Sequence, residues 1–376
     1  MHIVFLTNEY PEKGESHGGI GSFVQNLSKN LVEKGFNISV IGISKSASTL
    51  EYDNGVEIHR IQQSTAKFGK FIFNSKRVRN TLKNIHEKKS IDIVEGSELS
   101  FAFLPKNTPY KKVIRMHGGH HFFAITLNKK PAVWRSFQER RSFKKADYYV
   151  SVSNYVGSQT KKYLKKNFEF TTIYNSVNTD KFVSKDNYKT IKDSLLFVGT
   201  ICEKKGIRQL VQAIPIIKSK FPDVKLKIVG RDWKFPNGKS YTEYLKTFIT
   251  ESIKDNVEII GVIPHDRISK YIEEAEICVY PSHMEAMPIA WLEGLLMGKP
   301  IVASNIGPAR EAIKNNKTGL LANPHSPEDL AMKILELLLN KEKALKLGRE
   351  ARNDISKRFN QKNIIEQNIN FYTSII

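Results

Sequence analysis

Apolar and polar positions follow two rhythms along this chain. Short runs dominated by apolar residues, such as 2–8 (HIVFLTN), 37–43 (NISVIGI), 112–116 and 147–153 (DYYVSVS), have the length and composition of buried strands. Between them, apolar residues recur three and four apart. Phe23, Val24, Leu27, Leu31 and Val32 mark one such helical face, which ends at Gly35. Further strands are expected at 56–60, 91–94 and 171–177, and helices at 67–89 and from Asn154. Strand and helix in repeated alternation predict an α/β fold with a mainly parallel sheet. Residues 183–193 break the rhythm, being polar, charged and aperiodic, and read as a linker. The alternation then restarts, with strands at 194–198, 225–229, 257–260, 275–280 and 301–303. Helices are expected between them at 207–217, 241–253, 268–274 and 289–297, and three more at 330–339, 343–352 and 364–376. Two Rossmann-like halves follow, 1–182 and 194–359.

Composition narrows the class. A chain of 376 residues with 40% apolar content suits two cores better than one. The net charge of +21 asks for an anionic partner: a nucleotide diphosphate, an acidic glycan, an anionic membrane or nucleic acid. Cys202 and Cys278 each lie in or beside an apolar run, which suits small core residues and gives no disulfide framework. No signal-peptide pattern precedes the first strand and no apolar run approaches a membrane span, so a cytoplasmic protein is expected, at most attached to a membrane surface.

Candidate chemistry gathers where strands give way to helices. In the first half, Gly18-Gly19-Ile20-Gly21 follows a strand and a long polar loop. A nicotinamide site is disfavoured, because the loop is too long and the second strand ends without an acidic ribose partner. These glycines either let the backbone approach a phosphate or sugar, or make a tightly packed turn. His117 opens His-Gly-Gly-His-His at the end of a strand, where open parallel sheets bind ligands. His120 and His121 are adjacent and project differently, and no carboxylate completes a set, so no metal is expected. In the second half, Lys205 stands just before a helix start, where a cation and backbone N–H groups can converge on a phosphate. Residues 282–303 (SHMEAMPIAWLEGLLMGKPIVA) place Glu285 in a strand-to-helix loop and Glu293 about two turns into the helix, which stops at Gly298-Lys299-Pro300. Pro288 has no N–H, so donors would come from Ala286 and Met287 toward a sugar and from Ile289 and Ala290 toward a phosphate. Two carboxylates flanking an anion-binding helix start suit a nucleotide sugar. A surface helix with a chance second Glu would account for the pair alone.

Glu285, seven residues, Glu293, with Pro288 between and Gly-x-Pro beyond, closely resembles the motif of the retaining glycosyltransferases of family 4. The resemblance implies the GT-B fold, two Rossmann-like domains with parallel sheets facing across a cleft. The first would serve the acceptor and the second, 194–359, the nucleotide sugar. In that family the first Glu contacts the donor sugar and the second the ribose hydroxyls, roles that fall to Glu285 and Glu293. Gly19 matches a glycine that approaches the donor phosphate, and His117 a histidine beside the donor sugar. Lys205 matches the phosphate-binding lysine. Thr200 stands where an Arg is expected, and Arg231, or a cation of the first domain, could compensate. Arg231 and Ile263, each just beyond an expected strand, complete the donor-side set. The terminal helix, 360–376, would pack back onto the first domain.

The reading is therefore a retaining, metal-independent hexosyltransferase, with a nucleotide-diphosphate sugar as donor and no cofactor. Its acceptor would be a hydroxyl on a glycan or lipid-linked intermediate of cell-surface polysaccharide synthesis. A GT-B nucleotide-sugar epimerase or phosphorylase, or a polyanion-binding protein without activity, remain alternatives; nucleic acid is not expected as partner. Between Lys67 and Lys83, basic residues interleave with Phe68, Phe71, Ile72 and Phe73. That stretch is either a solvated helix face or one that lies on an anionic membrane at the inner face of the cell envelope.

Overall fold

The computed structural model describes residues 1–12, 19–66, 68–127, 129–179, 182 and 190–376. Most of the polar loop before the glycines, Gly18, Lys67 and residues 183–189 of the expected linker lie outside them. The chain divides into two compact units, one of Met1–Asn175 with Lys362–Ile376, the other of Ser176–Gln361. Residues 176–182 therefore group with the second unit.

The first unit runs β1 (His2–Leu6), α1 (Gly19–Glu33), β2 (Asn37–Ser44), β3 (Thr49–Asp53), β4 (Val56–Gln62), α2 (Lys70–Lys88), β5 (Ile93–Gly96) and β6 (Lys111–Met116). It continues through α3 (His120–Thr126), α4 (Val133–Lys145), β7 (Tyr148–Ser151), α5 (Asn154–Leu164) and β8 (Thr171–Thr172). The strands form one sheet in the order β3-β4-β2-β1-β5-β6-β7-β8, parallel except for the β3–β4 pair. Sequence reasoning missed β3. Leu50 and Tyr52 are exposed on it, so it lacks the apolar run that marks a central strand. Its turn was nevertheless written as Asn54-Gly55, both with positive φ (50° and 84°), the pairing that favours a two-residue hairpin.

The second unit holds β9 (Ser194–Val198), α6 (Ile207–Lys218), β10 (Lys225–Val229), α7 (Tyr241–Lys246), β11 (Val257–Gly261), α8 (His265–Glu274), β12 (Ile277–Tyr280) and α9 (Ile289–Leu296). After these come β13 (Ile301–Ser304), α10 (Ala309–Ala312), β14 (Leu320–Ala322), α11 (Pro327–Leu339) and α12 (Lys341–Arg358). Its sheet is parallel throughout, in the order β11-β10-β9-β12-β13-β14. Counted along the unit, that order is 3-2-1-4-5-6, the doubly wound Rossmann arrangement. Both strand faces are covered, so β9 and β12 are buried along their lengths and read as unbroken apolar runs. The helix expected over 241–253 stops at Lys246 and is followed by a 3-10 turn, Glu251–Asn256. Cys202 and Cys278 are buried and free. Among the described residues no helix is long and apolar enough to cross a membrane.

The last helix, α13 (Gln361–Ser374), packs into the first unit's core through Ile364, Ile365 and Phe371. It also completes a buried polar network. Arg115 on β6 makes two bonds to Glu95 on β5, of 2.7 and 3.1 Å. It donates to Asn368 Oδ1 (2.7 Å) as well, while the Tyr372 hydroxyl donates to Glu95 (2.8 Å). Both charges are 1–3% exposed. Nearby, the buried Glu98 carboxyl has one oxygen without a partner, and burial pushes its pKa up to about 8. A second buried carboxylate, Glu139, lies close and accepts from the His121 backbone N–H (2.9 Å) and ring.

Two outcomes test these networks. Arg115→Ala leaves Glu95 buried without its counter-charge and should cost about 3–5 kcal/mol in urea unfolding, whereas replacing both by Met and Leu should recover most of that loss. Glu98 favours folding while protonated. Its contribution is whole below its ordinary pKa and is lost as pH rises through about 8. Glu98→Gln should therefore flatten the decline of the unfolding midpoint between about pH 5 and 9; an unchanged slope would mean that Glu98 holds no proton on folding.

Candidate active site at the carboxyl edge of the second sheet

The strand order fixes where this site can be. The chain leaves β9 toward β10 on one side and leaves β12 toward β13 on the other. The two loops diverge beyond the carboxyl ends of these neighbouring strands and open a crevice, the usual ligand position in such sheets. Below the crevice the loops are pinned together. Gly206 has φ 69°, and a Cβ there would stand 1.8 Å from the Pro281 carbonyl oxygen, so only glycine fits. The His283 N–H donates to the Lys204 carbonyl at 2.9 Å.

This contact brings two sequence-predicted residues together. Lys205, the last residue of the 3-10 turn Glu203–Lys205, forms an ion pair with Glu285 of the β12–α9 loop. Ser282 Oγ donates to the same carboxylate oxygen at 2.8 Å. Their side chains keep 20% and 11% exposure, so a solute can still reach them. In the sequence Lys205 and Glu285 read as residues with separate tasks, and nothing in their spacing of 80 residues announces the pairing. The turn that presents Lys205 is anchored by Glu203, a residue that sequence reasoning passed over. Its carboxylate receives Arg208 (3.0 and 2.6 Å), Gln209 (3.1 Å) and the Tyr241 hydroxyl (2.6 Å). Burial alone would raise its pKa, yet these donors hold it down to about 2.

Glu293 lies one turn into α9, not two, because only four residues separate it from Ile289, where the helix begins as expected. The helix ends where Gly298 (φ 69°) supports the paired bonds Gly298 N–H to Leu295 and Lys299 N–H to Gly294, a Schellman close. Glu293 is 4% exposed, with Oε1 3.2 Å from Nε2 of His265, the first residue of α8. His265 was missed; a lone histidine after Pro264 carries no signal by itself. Ile289 and Ala290 occupy the first turn of α9, where the helix supplies no acceptor for their N–H groups. Ala286 is half-buried, while the Met287 side chain is in the core. Thr200 is half-buried in the β9 loop, and exposed Arg231 follows β10 in the adjacent loop. Those loops touch: the Arg231 carbonyl accepts from Ile201 at 2.9 Å, and a Cβ on Gly230 would meet the Gly199 oxygen at 1.8 Å. Ile263 is half-buried between β11 and α8.

In the first unit, His117 directly follows β6, half-buried, with its ring edge-on to Phe23 at 5.2 Å. Burial and the Arg115 charge push its pKa down to about 3, which leaves a neutral imidazole at physiological pH. Gly19 opens α1, and none of the described residues comes within 4 Å of a Cβ built there. The steric demand falls on Gly21, whose Cβ would meet the Glu9 carbonyl at 1.8 Å. His120 and His121 face different partners, the Ala132 N–H and Glu139.

The comparisons with known proteins run along the whole chain. The family model described as Glycosyltransferase Family 4 matches residues 17–181, and that described as Glycosyl transferases group 1 matches 178–354. An uncharacterized glycosyltransferase of Methanocaldococcus jannaschii is 29% identical over 353 residues, spanning 91% of this chain and 90% of that protein. Sucrose-phosphate synthase of Thermosynechococcus elongatus shares the fold with a TM-score of 0.85 at 20% identity, covering 100% of this chain and 98% of its own. HepE of Anabaena, solved in complex with UDP and glucose, gives 0.78 at 16% identity over 100% of both chains. With two Rossmann-like sheets and a glycosyltransferase match to each half, the chain is a GT-B glycosyltransferase.

Proposed function

We propose that this glycosyltransferase is a retaining hexosyltransferase that takes its sugar from a nucleoside-diphosphate sugar, with UDP the first candidate. The observation that carries the reading is the Lys205–Glu285 pair beside the first turn of α9, with buried Glu293 one turn further on. A diphosphate entering the crevice gives Lys205 a second anionic partner and gives the Ile289 and Ala290 amides an acceptor. Glu285, loosened from Lys205 but still held by Ser282, is then free to accept from the donor sugar's hydroxyls. Glu293 takes the ribose diol. The anomeric carbon–oxygen bond to phosphate breaks, and the acceptor hydroxyl adds to the same face of the sugar. The departing phosphate oxygen takes the acceptor's proton. Lys205, the helix amides and Arg231 carry the leaving charge, so the scheme uses neither metal nor cofactor. Neutral His117 is suited to hydrogen-bond a sugar without adding charge. Support for the nucleotide comes from HepE, solved with UDP and with UDP-glucose.

We place the acceptor on a glycan or lipid-linked carrier of cell-surface polysaccharide synthesis, and the enzyme in the cytoplasm at the inner face of the membrane. The net charge of +21 supports an acidic surface nearby.

Calorimetry with UDP, GDP and ADP tests the site directly. One nucleotide should bind clearly more tightly, and Glu293→Gln should weaken it by about 1.5–3 kcal/mol through loss of a charge-assisted bond. Glu285→Gln should not weaken it and should tighten it if Lys205 is released, because free nucleotide lacks the sugar. The reverse pattern would exchange the two roles, and indifference of both variants would remove the nucleotide from this crevice. Lys205→Ala should lose about 2.7–4 kcal/mol of transition-state stabilisation, read in kcat. Wild-type turnover in that variant would take Lys205 out of the mechanism.

A further inference from the structure

The first unit carries an apolar surface patch that the transfer reaction does not use. The rings of Phe71, Phe103 and Trp134 cluster at 4.7–5.9 Å and join the start of α2 to the start of α4. Outside that junction stand Phe68, Ile72 and Phe73 from the α2 side and Val133, Trp134 and Phe137 from the α4 side. Phe68 is 89% exposed and Val133 86%, values unusual for residues with so much to gain from burial. The sequence pattern pointed to the α2 stretch alone; the contribution of α4 comes from the fold.

The surrounding charge is of one sign. Lys70, Lys76, Lys129, Lys130 and Arg135 are exposed on the same two helix starts and the segment before α4. No Asp or Glu occurs in residues 58–86 or 99–138. We propose that this surface docks the protein on an anionic lipid bilayer, its aromatic and aliphatic side chains entering the headgroup boundary while the cations meet lipid phosphates. A second copy of the chain would bring like charges together, which opposes self-association through this face. A soluble polyanion would satisfy the lysines but give Phe68, Ile72 and Val133 no apolar phase to enter. The proposal deepens the reading of a membrane-borne acceptor and rests on it. Vesicle binding is measured without donor or turnover, however, so its failure leaves the transferase reading standing.

The test is co-sedimentation of the full chain with vesicles of phosphatidylcholine alone or mixed with phosphatidylglycerol. Binding should require phosphatidylglycerol and weaken steeply as salt rises. Phe68→Ser/Val133→Ser changes two side chains that are almost fully exposed, so its melting temperature should match the wild type while vesicle affinity falls at least about tenfold. Lys129→Glu/Lys130→Glu should lose binding as well. Trp134 should shift its emission to shorter wavelength with the mixed vesicles, a change absent in Trp134→Phe. Failure to bind at low salt would overturn the proposal. So would binding that the lysine variant abolishes and the Phe68/Val133 variant leaves intact, since charge alone would then explain it. Equal affinity for a soluble polyanion, undiminished in that same variant, would likewise replace the bilayer as partner.

Discussion

Everything chemical in the second unit depends on one topological constraint: β9 and β12 are neighbours, but their following connections run in opposite directions. Two parallel strands with right-handed crossovers to opposite sides cannot close the space above their carboxyl ends. The close approach of Gly206 to Pro281 then decides how the diverging loops sit at their base. A side chain at 206 would push the Lys205 turn away from the Glu285 loop and open the ion pair. A backbone contact thus sets a side-chain contact, and the side-chain contact sets what the crevice can bind.

The electrostatics of that crevice are balanced before any ligand arrives. Lys205 has Glu285, Glu203 has Arg208 and Tyr241, and Glu293 has His265. An unpaired cationic pocket in a protein of net charge +21 would be costly to assemble, and pairing Lys205 with Glu285 locally lowers that cost. It also means that ligand entry is an exchange of partners. In the proposed reaction a diphosphate would compete with Glu285 for Lys205, and the displaced carboxylate would become available next to the sugar.

Much of this was legible in the sequence, for physical reasons. Central strands of a doubly wound sheet are buried on both faces, so β1, β2, β9 and β12 appear as apolar runs whatever surrounds them. The Glu285 and Glu293 segment was readable because strand, turn, helix and glycine stop each leave a local mark. What escaped depends on tertiary contact. β3 lies at a sheet edge with exposed Leu50 and Tyr52, and α4 contains three residues buried in the fold, two of them polar, Glu139 and Ser142. Neither gives an amphipathic signal. Glu293 is expected two turns into its helix, yet four residues from the expected and observed start at Ile289 make only about one turn at 3.6 residues per turn. Glu203 and His265 are common polar residues whose partners include Tyr241 and Glu293, 38 and 28 residues away, and Ser282, three residues before Glu285, carries no signal by itself.

Two ion pairs in this protein are built alike and differ in what they are for. Arg115 and Glu95 are 1% and 3% exposed, and the carboxylate, the guanidinium and two residues of α13 share out the hydrogen bonds between them. No solute can reach that pair, so it serves to lock β5, β6 and α13 together, and its cost in desolvation is offset only while every member stays in place. Lys205 and Glu285 are each several-fold more exposed, and Ser282 adds only one further bond to the carboxylate. Water moderates both their attraction and the cost of separating them. For the proposed reaction the pair must be strong enough to order two loops and weak enough to yield to a diphosphate. Partial exposure at a strand-order switch meets both demands, and full burial meets only the first.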